Sequence, residues 1–321
     1  MIRLSVSLSE SGQVTRQIEN AEPKEPADGE ILVKVAYSGL NYKDALSASG
    51  NKGISRFYPH TPGIDAAGEV VISTRAEFKP GDRVIVTGFD LGMNTKGGFA
   101  EYITVPAAWT LHLPEEMSLK EAMMLGTAGL TAAMSIDKIL SSDLRSGPVI
   151  ISGATGGVGS MGLLILKKLG IETAAYSRRP ETATYLRSLG AKEILHAWEE
   201  SPKPLLKGLY SAGIDTVGGP VLENMLKHIR PYGALAICGM ALSSHFTTTV
   251  YPFILRGISL YGIESAEAPM AWRKTLWNRL ATEWKPDGLE SICRTVRLEG
   301  LEAEIQKMLA GKALGRVVVE I

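Results

Sequence analysis

The 321-residue sequence holds only two cysteines, Cys238 and Cys293. Two cannot make a disulfide framework, which fits a reducing compartment such as the cytoplasm. No apolar run approaches the ~18 residues a membrane span needs, and the opening MIRLSVSLSESG lacks the apolar region of a secretory signal. Neither sign of charge is in excess, with 34 Lys and Arg against 34 Asp and Glu. That balance removes the global field that nucleic acid or a polyanionic surface would require. The histidines His60, His112, His196, His228 and His245 are scattered, without HxxxH or CxxC spacing, so no zinc ligand set assembles from neighbours. There is no GxSxG elbow, and neither cysteine stands beside a histidine, which leaves nucleophilic catalysis without support. The absences point to a metal-free cytoplasmic protein with no membrane or nucleic-acid partner, long enough for two domains.

What is present begins with PVIISGATGGVGSMGLLILKKLG over 148–170. An apolar β-branched run, Val149 to Ile151, stops at Ser152 and Gly153. A glycine turn follows, with Gly156, Gly157, Val158 and Gly159, and then an apolar segment of helical period. Strand, glycine turn and helix in that order open a dinucleotide-binding unit. The glycines let the backbone approach a pyrophosphate, and the free N–H groups of the helix start face its negative charge.

A unit that binds NAD carries an Asp or Glu about 20 residues past the turn, for the ribose hydroxyls. Here ETAAYSRRPE places Ser177, Arg178 and Arg179 at that point, with no carboxylate at Ala175, Tyr176 or Ser177. A hydroxyl and two guanidinium forks suit a phosphate dianion, which predicts the 2′-phosphate of NADPH. The alternative is a solvated basic turn before Pro180.

The first hundred residues read as β-rich: EILVKVAYSG, GEVVIS, DRVIVTG and AEYITVP are short apolar runs separated by Gly, Pro and Asp. KPGDRV reads as a tight turn. SLKE forms a capping box of Ser118 and Glu121 before a helical segment that runs to about Leu140. From Pro148 strand and helix alternate, which predicts a parallel sheet with crossovers. The expected fold class is therefore α/β: a doubly wound Rossmann sheet plus a β-rich domain, with the tail, ending in RVVVEI, returning to the first domain. ISLYGIES is the expected exposed edge of the parallel sheet and calls for a partner or a cover.

The segment NYKD offers an amide at Asn41, a phenol at Tyr42 and an acceptor at Asp44. All three are candidate catalytic residues, with Tyr42 donating to or positioning the substrate. In the alternative, Asn41 and Asp44 cap the helix that follows and Tyr42 packs. Arg256 either meets a phosphate or lies on the surface. Met270, Trp272, Trp277 and Trp284 read as core or interface.

Layout and motifs together resemble the medium-chain dehydrogenase/reductase superfamily, whose GroES-like β domain precedes a Rossmann domain and is completed by the end of the chain. The likeness covers the whole length. SGLNYKDAL, PGIDAAG, GTAGLTA, GATGGVG, IDTVGG and TTVYPFILRGISLYGIES stand in register with its zinc-free acrylyl-CoA reductase group, whose members also carry the label quinone oxidoreductase. Where the zinc relatives have cysteine near the first loop, this chain has Ser38-Gly39-Leu40-Asn41. The resemblance implies a GroES-like domain over 1–122, an NADPH-binding Rossmann domain over 123–265 and a C-terminal return over 266–321. It implies NADPH contacts from Tyr42, the GGVG turn, Ser177, Arg178, Arg179, Met240, Ile254, Ser265 and Arg316, and a homodimer through the sheet edge. Ala197 departs from similar chains that place an arginine there. The implied reaction is reduction of the C=C bond of acryloyl-CoA to propanoyl-CoA. The alternatives are reduction of small quinones or enones and an NADPH-binding protein with a structural or sensing role.

Overall fold

A computed structural model of the chain describes residues 1–140, 142, 147–199 and 201–321. It divides into two compact units: 1–127 with 266–281 and 288–321, and 128–265 with 282–287.

The first unit opens with an antiparallel ribbon of β1 (Ile2–Leu8) and β2 (Val14–Asn20). Next comes β3 (Glu30–Leu40), 11 residues long, followed by the short helix α1 (Tyr42–Ala48). Strands β4 (Asp65–Ser73), β5 (Arg83–Thr87), β6 (Tyr102–Pro106) and β7 (Thr110–His112) continue the sheet. The KPGDRV turn forms as expected, with Lys79 and Gly81 donating backbone bonds to Asp82 and Val70.

Helix α2 (Leu119–Ile139) starts at the expected capping box: Glu121 N–H donates to Ser118 Oγ at 3.1 Å, and Ser118 N–H to the Glu121 carboxylate at 2.8 Å. It is not one continuous helix. Gly126 sits at φ 52° and ψ −155°, a conformation that L side chains rarely adopt, and the helical ladder breaks there.

In the second unit β8 (Val149–Ser152) runs into α3 (Gly157–Lys168), followed by β9 (Thr173–Tyr176), α4 (Ala183–Ser188) and β10 (Ala191–Leu195). The second half is β11 (Tyr210–Asp215), α5 (Gly219–His228), β12 (Ile229–Ile237), α6 (Tyr251–Arg256) and β13 (Ser259–Gly262). All neighbours are parallel, in the order β10-β9-β8-β11-β12-β13. That is the third, second, first, fourth, fifth and sixth strand, the order of a dinucleotide-binding sheet. The inner strands β8, β9 and β11 are buried at every position, which is why they read as unbroken apolar runs. The edge strand β13 is half-buried and only four residues long.

The tail then supplies α7 (Met270–Ala281), β14 (Cys293–Arg297), α8 (Leu301–Leu309) and β15 (Arg316–Glu320). β15 pairs antiparallel with the second half of β3, whose first half pairs with β6 on the same edge. The order in this sheet is β14-β15-β3-β4-β5-β7. The last strand therefore completes the first unit. Its apolar residues Val317 and Val319 share a buried cluster with Val6, Leu40, Phe99 and Leu301. Trp277 and Trp284 are core residues, 1% and 4% exposed.

Candidate active site and dinucleotide turn

The glycine turn joins β8 to α3. Gly153 has φ 55° and accepts the N–H of Gly156 at 2.9 Å, closing the turn. A Cβ on Gly159 would lie 2.5 Å from the Gly153 carbonyl oxygen and 2.6 Å from Ala154 Cα, so only glycine lets α3 approach the strand this closely. A Cβ on Gly156, at the N-cap of the 12-residue α3, would meet nothing nearer than 3.4 Å. Gly156, Gly157 and Val158 are half-buried, so the first turn of the helix is open to an anion at its N-terminus.

The turn after β9 docks onto this loop. Arg179 Nη2 donates to Thr155 Oγ1 at 2.7 Å, and Ala154 N–H to the Tyr176 carbonyl at 3.4 Å. Arg178 is exposed, and its side chain has no partner among the described residues. The Ser177 hydroxyl, expected to face a phosphate, is 5% exposed; it lies 3.1 Å from Thr182 Oγ1 and accepts the Arg179 N–H at 3.3 Å. Arg178 is thus the exposed cation of this turn, and Arg179 is half-buried against the glycine loop. At the end of β11, Asp215 is buried, accepts from Ser152 Oγ at 2.5 Å and from Gly218 N–H at 2.8 Å, and is pushed up by burial. It ties two strand ends together beside the turn.

Met240 and Ile254 are 70% and 69% exposed, on the segment after β12 and on α6. Ser265 Oγ accepts from Thr131 Oγ1 at 2.7 Å. Arg256 is half-buried, and its guanidinium is taken up by backbone: it donates to the carbonyls of Lys227 at 3.0 Å, Ile229 at 2.6 Å and Leu206, closing the C-terminal end of α5.

In the first unit, the NYKD segment starts α1. Tyr42 is the first helical residue and 49% exposed, so it does not pack. Asn41 and Asp44 differ from the expectation of catalytic groups. Asp44 is fully buried and accepts from three backbone N–H groups: Asn41 at 2.7 Å, Ile64 at 2.8 Å and Gly63 at 3.1 Å. Asn41 donates through Nδ2 to Asp65 at 2.8 Å and accepts through Oδ1 from Arg316 Nη1 at 2.8 Å. Both residues hold the start of α1, and neither presents a free polar atom to a substrate. Arg316, expected at the cofactor, is 2% exposed. Besides Asn41 it donates to the carbonyls of Leu40 and Met124, each at 3.1 Å, and lies 3.7 Å from Asp65. A guanidinium so enclosed acts as an internal cation.

Sequence reasoning passed over Asp65. It is fully buried and accepts from Asn41, from Thr127 N–H at 2.9 and 3.0 Å, and from Thr127 Oγ1 at 2.5 Å. PGIDAAG carried it in view, but nothing local marks an aspartate whose partners lie in other elements. The remaining titratable groups are poor reactants. Burial pushes the thiol of Cys238 up to about 12 and that of Cys293 up to about 11, and pulls His60 down to about 4. Among the described residues, no group of three or more His, Cys, Asp and Glu is placed to hold a metal.

Family models match the chain twice, the alcohol dehydrogenase GroES-like domain over 27–115 and the zinc-binding dehydrogenase model over 157–282. The protein YhfP of Bacillus subtilis, provisionally named a quinone oxidoreductase, is 42% identical over 92% of this chain and 91% of its own. The acrylyl-CoA reductase AcuI of Ruegeria pomeroyi is 39% identical over 97% of this chain and 96% of its own. The chain belongs to the medium-chain dehydrogenase/reductase family, in the group of these two proteins. The crystal structure of another oxidoreductase of this kind, YhdH of Salmonella enterica in complex with NADP, superposes with a TM-score of 0.95 at 36% identity, covering 100% of both chains. YhfP with NAD bound gives 0.95 at 38%, covering 100% of this chain and 99% of its own. Two proteins of this fold thus carry different dinucleotides, NADP in YhdH and NAD in YhfP.

Burial and the neighbouring Asp65 carboxylate raise Asp44 to about 7, outweighing the N–H donors of Asn41 and Ile64 that favour its ionised form. The folded chain therefore holds this proton more tightly than the unfolded chain, whose Asp titrates near ~4. Ionising it weighs against folding progressively as pH rises from about 4 to about 7, by up to ~1.4 kcal/mol per pH unit. In Asp44→Asn that contribution is absent, so the stability gap between variant and parent should narrow over this window. Urea unfolding at stepped pH measures it; parallel curves would contradict the assignment.

Proposed function

We propose that this chain is an NADPH-dependent reductase acting in the cytoplasm on the C=C bond of a short enoyl-CoA, converting acryloyl-CoA to propanoyl-CoA. Support for the substrate class comes from the likeness to AcuI over nearly the whole of both chains. The observation that carries the chemistry is the exposed phenol of Tyr42 at the head of a helix whose first turn is anchored by buried groups. Bound NADPH supplies the hydride, which adds to the β-carbon of the thioester, and a proton from water completes the α-carbon. Addition of the hydride moves negative charge onto the thioester oxygen, and that charge calls for a fixed hydrogen-bond donor. Tyr42 fills this role, either towards the oxygen directly or by holding the nicotinamide ribose. Asn41 and Asp44 set its placement.

For the cofactor, the open glycine turn suits a pyrophosphate, and the reading of a 2′-phosphate is supported by Arg178 and Arg179 just after β9, with no carboxylate at that strand end. The alternative reading, a quinone reductase, is favoured by the name of YhfP, and it needs the same donor of hydride. Turnover of acryloyl-CoA, crotonyl-CoA and a benzoquinone separates the two. The thioester reading expects acryloyl-CoA to have the highest kcat/KM, and a benzoquinone leading by about tenfold or more would overturn it.

The edge strand β13 and the preceding α6, with exposed Tyr251, Ile254 and Leu255, fit a second copy of the chain as the cover. Light scattering at micromolar concentration should report about twice the 34.5 kDa of the chain, and a single-chain mass rejects the dimer.

Arg178→Ala removes a charge-assisted contact of roughly 1.5–3 kcal/mol and should weaken NADPH binding by about tenfold or more, with NADH little changed. Equal losses for both cofactors in a titration would contradict recognition of the 2′-phosphate. Tyr42→Phe keeps the ring and deletes the hydroxyl, so kcat for acryloyl-CoA should fall by about 10²–10³. A rate within about threefold of the parent would pass the donor role to a backbone N–H or a ribose hydroxyl.

A further inference from the structure

Among the buried charges of the first unit, the carboxylate of Asp65 and the guanidinium of Arg316 lie 3.7 Å apart, 0% and 2% exposed. Space for them is made by missing side chains. A Cβ on Gly126 would lie 2.4 Å from Asp65 Oδ2 and 2.7 Å from Arg316 Nη2, and one on Gly39 would lie 2.7 Å from Arg316 Nη2. Both glycines are therefore required by the pair. Around it, three stretches of chain converge: the end of β3 with the start of α1, the break in α2, and the start of β15.

The amide of Asn41 lies between the two charges. Its oxygen faces Arg316 and its nitrogen faces Asp65, each at 2.8 Å. Turning the amide over would set oxygen against carboxylate and N–H against guanidinium, so one orientation alone is satisfied. The next residue is Tyr42.

We propose that Asp65, with Arg316 as its counter-charge, is a positioning residue for Tyr42: it locks the Asn41 amide, and Asn41 fixes the first turn of α1 that carries the phenol. The role rests on the reading of Tyr42 as the donor. Asp65 touches no substrate. A donor aimed at developing charge loses most of its effect when its placement relaxes by a fraction of an ångström, because a loose group must reorganise as the charge appears. The pair adds rigidity to the residue immediately before the exposed Tyr42.

A double-mutant cycle on kcat for acryloyl-CoA tests this. Asp65→Asn keeps the size of the side chain and removes its charge. It should lower kcat by about tenfold or more in the parent and by about twofold or less in the Tyr42→Phe background, because the group it positions is gone. Asn41→Ala leaves Asp65 and Arg316 paired and cuts the link to α1. It should reproduce the same non-additive pattern, and it stands in if Asp65→Asn does not fold. Equal losses in both backgrounds would overturn the proposal, as would a parent-like rate in Asp65→Asn. If Tyr42→Phe alone turns over at the parental rate, the donor reading fails and this inference fails with it; a large Tyr42→Phe effect with additive Asp65 and Asn41 effects rejects the positioning role alone.

Discussion

A carboxylate and a guanidinium enclosed in protein are tolerated only when each is matched by charge and hydrogen bonds, and breaking one partner of such a pair typically costs about 3–5 kcal/mol. Asp65 and Arg316 impose this condition on the first unit. Arg316 is the first residue of the last strand, so the charge that matches Asp65 arrives only when the end of the chain comes back to pair with β3. Thr127 can donate to Asp65 only because α2 breaks at Gly126, and Gly126 and Gly39 leave room for the pair. The return of the chain, the broken helix and the anchored start of α1 are three consequences of one electrostatic requirement.

The second unit solves a different problem, presenting backbone N–H groups and cations to a highly charged ligand. Gly159 lets α3 sit close against β8, which aims the helix start at the strand end. Arg179 ties the second turn to Thr155 in the first, and Arg178 beside it stays exposed. The first unit thus encloses Arg316 among polar groups, and the second leaves Arg178 exposed beside its glycine turn. Arginine suits both settings because its planar fork spreads donors over several acceptors at once.

Much of this could be read from sequence because it is local. The glycine turn and the Ser118–Glu121 cap are written within a few residues of where they act, and the parallel strands were legible because each strand and helix carries its own apolar pattern. Four things were not legible. Ser177 looked available for phosphate, but Thr182 and the Arg179 N–H occupy its hydroxyl, a contact that depends on how the turn closes. Arg256 looked like a surface cation, yet the carbonyls of Lys227 and Ile229 draw it inward. The break at Gly126 was hidden because its helical flanks carry the same apolar period on both sides. The pairing of Asp65 with Arg316 was hidden because partners far apart in sequence leave no spacing pattern; the guanidinium is enclosed by Asn41 and the carbonyls of Leu40 and Met124.

The central claim is that hydride from NADPH reaches the β-carbon of an enoyl thioester. The most direct measurement follows that hydrogen: NADPH carrying deuterium at its reactive C4 position is turned over with acryloyl-CoA in ordinary water, and the product is analysed by NMR and mass spectrometry. The account predicts propanoyl-CoA with one deuterium at C3 and none at C2, the second hydrogen coming from solvent. Deuterium at C2, or an untouched thioester while a quinone consumes the labelled cofactor, would contradict it.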